Sequence, residues 1–502
     1  MARIKNTDRL LLGMILAGFV AWTLLLPPIW NHGEAREGLV VQQIVRSHQW
    51  ILPFRNGEVP SKPPLFHWIA AAMAFLFGLS DFTVRLPSAL AAGVVLVTTF
   101  LLGMATGGRK TAWLAVGALL GMYQFWISGT EARVDMVFAA CVTVSLAGFF
   151  FWYRDARESG RAACYFAAAC AVLAKGPAGI ALPGLVIVGF LAAEGRLRLL
   201  WKFWSWPLVG AALVIDVGWY ALAYHVGGSR FIGFQILREN VDRFFGTRGF
   251  SSRNTKLSVL AWIATRTFPW NLALPWALIR RLSGECEDST GRLLHAWWIA
   301  LSALIFLAAG KRAVYLLPAY PAIALLAARA LAAAISSPAE PARHDGAQRL
   351  LAATRGLAWA LRTPKRVIVA VVLLDLALVL LNPMVWKRAG AYKSTVAFVQ
   401  EIGAIVPSAS PLFAASDFGN TNLYIIAYRL QRRIERRPLA CAGPNDYFLS
   451  RLRTLDAAGV EARVLAASEK INVALVTVPT LRQQACPSAA PAVEEEDTAD
   501  DD

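Results

Sequence analysis

Apolar runs of about 15 to 25 residues alternate with short polar loops over most of the chain, from Leu10 to Leu381. A helix needs about 20 apolar residues to cross a hydrocarbon core of about 30 Å. The pattern therefore predicts a polytopic α-helical membrane protein. The eleven spanning helices that we predict lie at residues 10–29, 86–106, 111–128, 134–153, 162–174, 178–193, 205–224, 257–279, 294–310, 314–335 and 367–386.

The apolar stretch at 64–78 is shorter than the usual span, and we predict that it lies on the membrane surface as an interfacial helix. With this choice the basic loops fall on the same side as the N-terminus, as the positive-inside rule expects of the cytoplasm. Two outward loops are then long, at residues 30–85 and 225–256. The basic loops are Arg109-Lys110, Arg154 to Arg161, Arg196 to Lys202, Arg280-Arg281 and 343–366.

After Trp386 the composition becomes that of a soluble domain. We predict a transmembrane domain at 1–387, a small periplasmic α/β domain at 388–490 and a disordered acidic tail at 491–502. Within the α/β domain the pattern favours strands at 411–415 and 471–478 and helices at 393–405 and 446–458. Cys441 and Cys486 both lie in this domain, and whether they form a disulfide is left open.

Composition narrows the class further. The chain is 57% hydrophobic and 17% charged, whereas a soluble domain carries about 25% charged residues. Its net charge of +17 comes from basic residues scattered among short loops, which is typical of topology signals and not of a nucleic-acid-binding patch. No Cys/His spacing is typical of a structural zinc site, and no phosphate-binding fingerprint for a nucleotide is present.

Ionisable residues gather in four connections that we place at the outer face. Carboxylates can act as general bases, and Lys or Arg can hold a phosphate leaving group. Taken singly, each connection is equally consistent with ordinary juxtamembrane charges. The four sets are Glu34 with Arg36 and Glu37, Asp135, Lys175, and Lys311 with Tyr315.

Four motifs together carry a resemblance: Glu34-Ala-Arg, Asn56-Gly-x-x-x-x-Lys-Pro-Pro, Arg85-Leu-Pro and Thr130-x-x-x-x-Asp. In these motifs the chain resembles the aminoarabinose transferases that modify lipid A, and the wider protein O-mannosyltransferase-like superfamily. The resemblance covers most of the membrane part. It implies the GT-C fold, with a large first external loop that contains interfacial helices, a layout that agrees with the one argued from charge.

The resemblance implies roles for the carboxylates. The family's acidic pair after the first helix is Gly33-Glu34 here, so its first carboxylate is missing. Glu34 is then the candidate that deprotonates or orients the acceptor, with Glu37 as its substitute. Asp135 matches the family's second essential acidic position.

The resemblance also implies a site for the donor phosphate, formed by Lys62, Arg243 and Lys311. A group of cavity-lining residues completes the implied site: Arg36, Lys175, Asn240 and Tyr315. Ser61 and Asn240 replace an acidic residue and a histidine of the family, so a zinc site is not expected here, although a divalent cation is left open.

The implied function is an inner-membrane glycosyltransferase that uses a polyprenyl-phosphate sugar and acts on a lipid, glycan or protein by inverting displacement. The lipid A of the aminoarabinose transferases is the nearest analogy for the acceptor. Two alternatives are a transporter or flippase for lipid-linked sugars, and a catalytically inactive relative, which the loss at Gly33 keeps open. Transporters usually concentrate polar groups near the midplane of the membrane, and they often consist of two related halves.

Overall fold

The computed structural model describes residues 4–247, 254–275, 288–336 and 395–477, the last range with gaps at 417, 442, 444–445, 453–461 and 470–471. Contacts divide the chain into two compact units. The first contains residues up to 26, 61–69 and the described residues from 85 to 336. The second contains 27–60, 70–84 and the described residues from 395 onward.

Helices form most of the described chain up to residue 336. They are α1 (Asn6–Leu25), α2 (His32–Ser47), α3 (Leu65–Phe77), α4 (Asp81–Leu120), α5 (Tyr123–Thr130), α6 (Val134–Asp155), α7 (Glu158–Lys175), α8 (Ala178–Ala193), α9 (Leu199–Phe203), α10 (Trp206–Phe231), a π-helix (Ile232–Asp242), α11 (Arg243–Phe245), α12 (Lys256–Arg266), a 3-10 turn (Trp270–Leu272), α13 (Ser289–Leu307), a 3-10 helix (Ala313–Ala319) and α14 (Tyr320–Ser336).

Six helical stretches of the described chain are long and apolar enough to cross a membrane: Asn6–Leu25, Asp81–Leu120, Val134–Asp155, Trp206–Phe245, Ser289–Leu307 and Ala313–Ala333. The predicted helical membrane architecture is confirmed. The short helix at 64–78 is present as α3, while its interfacial position stays a prediction. The predicted span at 367–386 lies outside the described residues, so the number eleven stays a prediction as well.

Two predicted spans do not form one continuous helix in the structure. The helix predicted at 111–128 is interrupted at Gly121 and Met122, between α4 and α5, and α4 itself turns at Gly108, whose φ is +76°. The helix predicted at 257–279 ends at Arg266, because Pro269 follows shortly after and a proline disfavours helix both at its own position and at the residue before it.

Small residues let the first unit pack closely. Helices α6 and α7 run side by side, and a Cβ on Gly148 would lie 2.6 Å from the carbonyl oxygen of Gly160. Small residues at such crossings are typical of membrane helix pairs. At the start of α1 the fully buried Asp8 binds Arg109 Nε at 2.8 Å and Trp113 Nε1 at 2.9 Å. This ion pair holds α1 against α4.

The second unit contains a five-stranded mixed sheet with strand order β2-β1-β3-β5-β4. Strand β1 pairs parallel with β2 and β3, and β5 pairs antiparallel with β3 and β4. The described elements are α15 (Thr395–Ile405), β1 (Leu412–Ala415), α16 (Asn420–Leu430), β2 (Glu435–Arg437), a 3-10 turn (Leu439–Cys441), β3 (Tyr447–Ser450), β4 (Arg463–Ser468) and β5 (Val473–Thr477).

The predicted strands at 411–415 and 471–478 are confirmed by β1 and β5, and the helix predicted at 393–405 by α15. The helix predicted at 446–458 is wrong at 447–450, because these residues form β3, the central strand. Phe448 and Leu449 are fully buried between two strands, and this packing outweighs the helical pattern. Cys441 is disulfide-bonded, while Cys486 and the acidic tail lie outside the described residues.

Candidate active site

Lys62 lies in the loop that precedes α3, and the following Pro63 disfavours helix at this position. Its ammonium donates a hydrogen bond to Glu239 Oε2 at 2.7 Å, and the side chain is only 15% exposed. Burial lowers the pKa of Lys62 from its ordinary value, while the neighbouring Glu239 carboxylate acts in the opposite direction. The Lys62 ammonium is therefore largely shielded from water.

Glu239 and Arg243 come from the π-helix and from the short α11 that continues it. Arg243 Nη1 lies 3.4 Å from Glu239 Oε2, so one carboxylate oxygen meets both Lys62 and Arg243. The same Nη1 donates to the Tyr315 hydroxyl at 3.2 Å. The backbone fixes this arrangement, because the carbonyl of Arg243 accepts from the N–H of Gly310 at 2.8 Å, shortly before the 3-10 helix that contains Tyr315.

Asp135 and Lys175 meet because α6 and α7 are packed antiparallel partners. Asp135 lies in the first turn of α6 and Lys175 is the last residue of α7, so both stand at the same end of the pair. The Lys175 ammonium donates to the Asp135 carboxylate and lies 4.0 Å from the centroid of the Tyr315 ring. Gly176, with φ +73°, turns the chain immediately after Lys175.

Six side chains thus form one connected group in the first unit, which we name the cationic cluster: Lys62, Asp135, Lys175, Glu239, Arg243 and Tyr315. Its members carry three positive charges, two negative charges and one phenol. The charged members are 10% to 19% exposed. Mostly buried cations in excess over carboxylates favour the binding of an anion, since Coulomb interactions strengthen where water is excluded.

Two other predicted site residues, Asn240 and Lys311, also belong to the first unit. The amide nitrogen of Asn240 donates to the Gln235 carbonyl at 2.7 Å, and its side chain packs near Gly176. The Lys311 ammonium donates to the Ala308 carbonyl at the end of α13.

In the described part of the chain, no group of three or more His, Cys, Asp or Glu side chains is arranged to hold a metal ion.

The remaining predicted carboxylates lie on α2, in the second unit. Asn31 caps this helix: its Oδ1 accepts from the Glu34 N–H at 2.7 Å, and its Nδ2 donates to Glu34 Oε2 at 2.6 Å. Arg36 Nε donates to Glu37 Oε1 at 3.0 Å. Glu34 and Glu37 are 1% and 5% exposed. The three predicted residues therefore share one buried helical turn.

A second ion pair in this unit surrounds Asp81. Its carboxylate accepts from the Tyr428 hydroxyl at 2.7 Å, from Arg429 Nη1 at 2.9 Å and from the Ile29 N–H at 3.0 Å. Burial and the Asp81 charge together raise the pKa of Tyr428 well above its ordinary value. Tyr428 also lies against Gly38, where a Cβ would come within 2.5 Å of its ring. We name Asp81, Tyr428 and Arg429 the Asp81 lock.

Comparison with known proteins adds to this geometry. The family of dolichyl-phosphate-mannose-protein mannosyltransferases matches residues 61–220. The crystal structure of ArnT from Cupriavidus metallidurans bound to undecaprenyl phosphate superposes with a TM-score of 0.77 over 94% of this chain and 98% of that one, at 18% identity. The chain has the GT-C fold. The predicted resemblance to the aminoarabinose transferases and the protein O-mannosyltransferase-like superfamily is confirmed.

Two curated relatives of this GT-C chain carry the name undecaprenyl phosphate-alpha-4-amino-4-deoxy-L-arabinose arabinosyl transferase. The one from Shewanella sediminis is 28% identical over 346 residues, which are 67% of this chain and 62% of the relative. The one from Pseudomonas fluorescens is 29% identical over 326 residues, which are 62% of this chain and 56% of the relative. The chain thus matches about three fifths of the length of these relatives.

Sequence reasoning missed one member of the cationic cluster of this GT-C chain. Glu239 stands four residues before Arg243, a spacing at which opposite charges pair on a helix, and this was the available signal. The pairing with Lys62 joins residues 177 positions apart, and no local pattern reports such a contact.

Proposed function

We propose that the protein is an inner-membrane glycosyltransferase that moves a sugar from a polyprenyl-phosphate carrier to an acceptor on the periplasmic face. The observation that carries the proposal is the cationic cluster, in which Lys62 and Arg243 converge on one anionic oxygen beside the Tyr315 hydroxyl. Charged donors of this kind are a suitable set for a phosphate group. The names of the curated relatives, which include undecaprenyl phosphate, agree with this donor.

The proposed reaction is a single inverting displacement at the anomeric carbon. The acceptor oxygen forms a bond to this carbon while the bond from the carbon to the phosphate oxygen breaks, and its electron pair stays on the phosphate. Lys62 and Arg243 stabilise the charge that develops there. Tyr315 donates its hydroxyl hydrogen to a phosphate oxygen.

The acceptor hydroxyl needs a carboxylate to orient it or to take its proton. We assign this role to Asp135, which Lys175 holds in place within the cluster. Glu34 is proposed as a second carboxylate, with Glu37 as its substitute, on the buried turn of α2. Lys311, Arg36 and Asn240 are retained as proposed contributors to the phosphate site and the cavity.

The acceptor, orientation and domain limits are part of the proposal. The acceptor is a lipid of the lipid A type, a glycan or a protein. The N-terminus lies in the cytoplasm, residues 1–387 form the catalytic domain, and 388–490 form a periplasmic domain. Support for this orientation is the placement of basic loops, which the positive-inside rule assigns to the cytoplasm.

The test is a transfer assay with purified protein in proteoliposomes. Radiolabelled polyprenyl-phosphate sugars and a lipid extract are supplied, and the label that reaches a new acceptor is measured. We expect transfer with at least one donor and its loss in folded Lys62→Ala and Asp135→Asn variants. If no donor is consumed while labelled lipid crosses the bilayer, the protein is a flippase and the proposal is wrong.

A further inference from the structure

Glu239 occupies a position that the donor phosphate also requires. Its Oε2 lies 2.7 Å from the Lys62 ammonium and 3.4 Å from Arg243 Nη1, the two cations assigned to the phosphate. The side chain is 10% exposed, so the carboxylate is largely removed from water. It also lies on an eleven-residue π-helix, a widened form that is frequent at functional sites. An anion that binds Lys62 and Arg243 must share them with Glu239.

The substrate and the product of the proposed reaction differ in the charge of their phosphate group. The donor is a phosphodiester with one negative charge. When the bond from the sugar to the phosphate oxygen breaks, the carrier becomes a phosphomonoester, which carries a charge of about −1.5 to −2 at pH 7 because its second pKa is about 6. Lys62, Arg243 and Glu239 together carry a single positive charge. This sum balances the diester and leaves the monoester with an excess negative charge.

We propose that Glu239 is a counter-carboxylate that competes with the bound phosphate for Lys62 and Arg243. It thereby favours the singly charged diester donor over the more highly charged monoester product and promotes product release. The inference rests on the proposed function, since it requires that Lys62 and Arg243 bind the carrier phosphate. Glu239 is a positioning residue in this account, because it acts through the two cations.

The test compares two probes on the full-length protein in detergent micelles at pH 7.5. Undecaprenyl phosphate serves as the monoester and its methyl ester as the diester. For wild type we expect the two Kd values to agree within about threefold. In Glu239→Gln we expect both lipids to bind more tightly and the preference for the monoester to rise by about tenfold, the effect of about 1.4 kcal/mol.

A pH series separates charge from shape. Between pH 5.5 and 7.5 the monoester gains its second charge, so the effect of Glu239→Gln on monoester binding should grow, while its effect on the diester stays constant. In steady state, kcat and KM of the variant should both fall because the product leaves slowly. Glu239→Asp keeps the charge and should keep the wild-type preference.

Glu158→Gln is the matched control. It removes a carboxylate from an ion pair with Arg161 at the opposite end of α7 from Lys175, where its side chain is 66% exposed, and should change neither Kd. The inference is wrong if folded Glu239→Gln leaves the monoester preference unchanged, or if wild type already prefers the monoester a hundredfold. If undecaprenyl phosphate binds wild type and Lys62→Ala equally, the proposed function fails and the inference fails with it.

Discussion

The cationic cluster and the Asp81 lock use similar side chains for different ends. Each contains carboxylate, cationic and phenolic side chains in contact with one another. In the lock, one carboxylate meets one guanidinium, one hydroxyl and one backbone N–H, so its charges cancel and its acceptors are occupied. In the cluster, three cations face two carboxylates. A balanced group contributes to stability, whereas the excess positive charge of the cluster suits the binding of an anion.

The largest expected effect is on the carboxylate of the cluster. Asp135→Asn keeps the shape of the side chain but removes the proposed proton acceptor, so kcat should fall by about 10²–10⁴-fold. The transfer assay measures this change. Asp155→Asn, at the other end of α6, breaks a partly exposed ion pair with Arg154 and should leave kcat unchanged. Equal loss in both variants would assign the effect to the helix and not to the reaction.

Removal of a cation should follow in size. Lys62→Ala is expected to lower kcat/KM by about 10²–10³-fold, as loss of a donor to a developing negative charge does. The midpoint of thermal unfolding should stay close to that of wild type, because Arg243 still pairs with the Glu239 carboxylate. A large fall in this midpoint together with the activity would place Lys62 with the lock and not with the binding site.

The lock should show the opposite pattern. Tyr428→Phe removes a hydrogen bond to the Asp81 carboxylate and should lower the free energy of unfolding by about 1.5–3 kcal/mol. Denaturant unfolding of the purified protein measures this loss. Transfer by the folded fraction should persist. Loss of transfer in a protein that is as stable as wild type would contradict the structural role of the lock.

The sequence predicted the features that depend on local pattern. It did not predict the breaks in helices at Pro and Gly, or the contacts between distant segments. The apolar runs gave the helical architecture, and the buried strands β1 and β5 followed from local pattern. The end of α12 was missed although Pro269 stands close by, and the strand at 447–450 was read as helix because its neighbours in the sheet are distant in sequence. Lys62, Asp135, Lys175, Arg243 and Tyr315 were proposed from family motifs, while Glu239 required the fold.

The smallest expected effect is a pH dependence. Burial lowers the pKa of Lys62, so its charge is complete below this lowered pKa and is lost as pH rises through it. Affinity for undecaprenyl phosphate should therefore fall by about tenfold as pH rises through this lowered pKa. The fall should occur at a lower pH than the pKa of an ordinary lysine would give. Lys62→Arg stays charged throughout and should abolish this alkaline fall. An identical fall in the arginine variant would assign the titration to another group.

The most direct test of the account is the binding of radiolabelled undecaprenyl phosphate to three folded proteins: wild type, Lys62→Ala and Tyr428→Phe. We predict that wild type and Tyr428→Phe bind with the same Kd, and that Lys62→Ala binds at least about tenfold more weakly, a loss of about 1.4 kcal/mol. Equal binding by all three proteins, or weaker binding only in Tyr428→Phe, would contradict the assignment of the cationic cluster as the phosphate site.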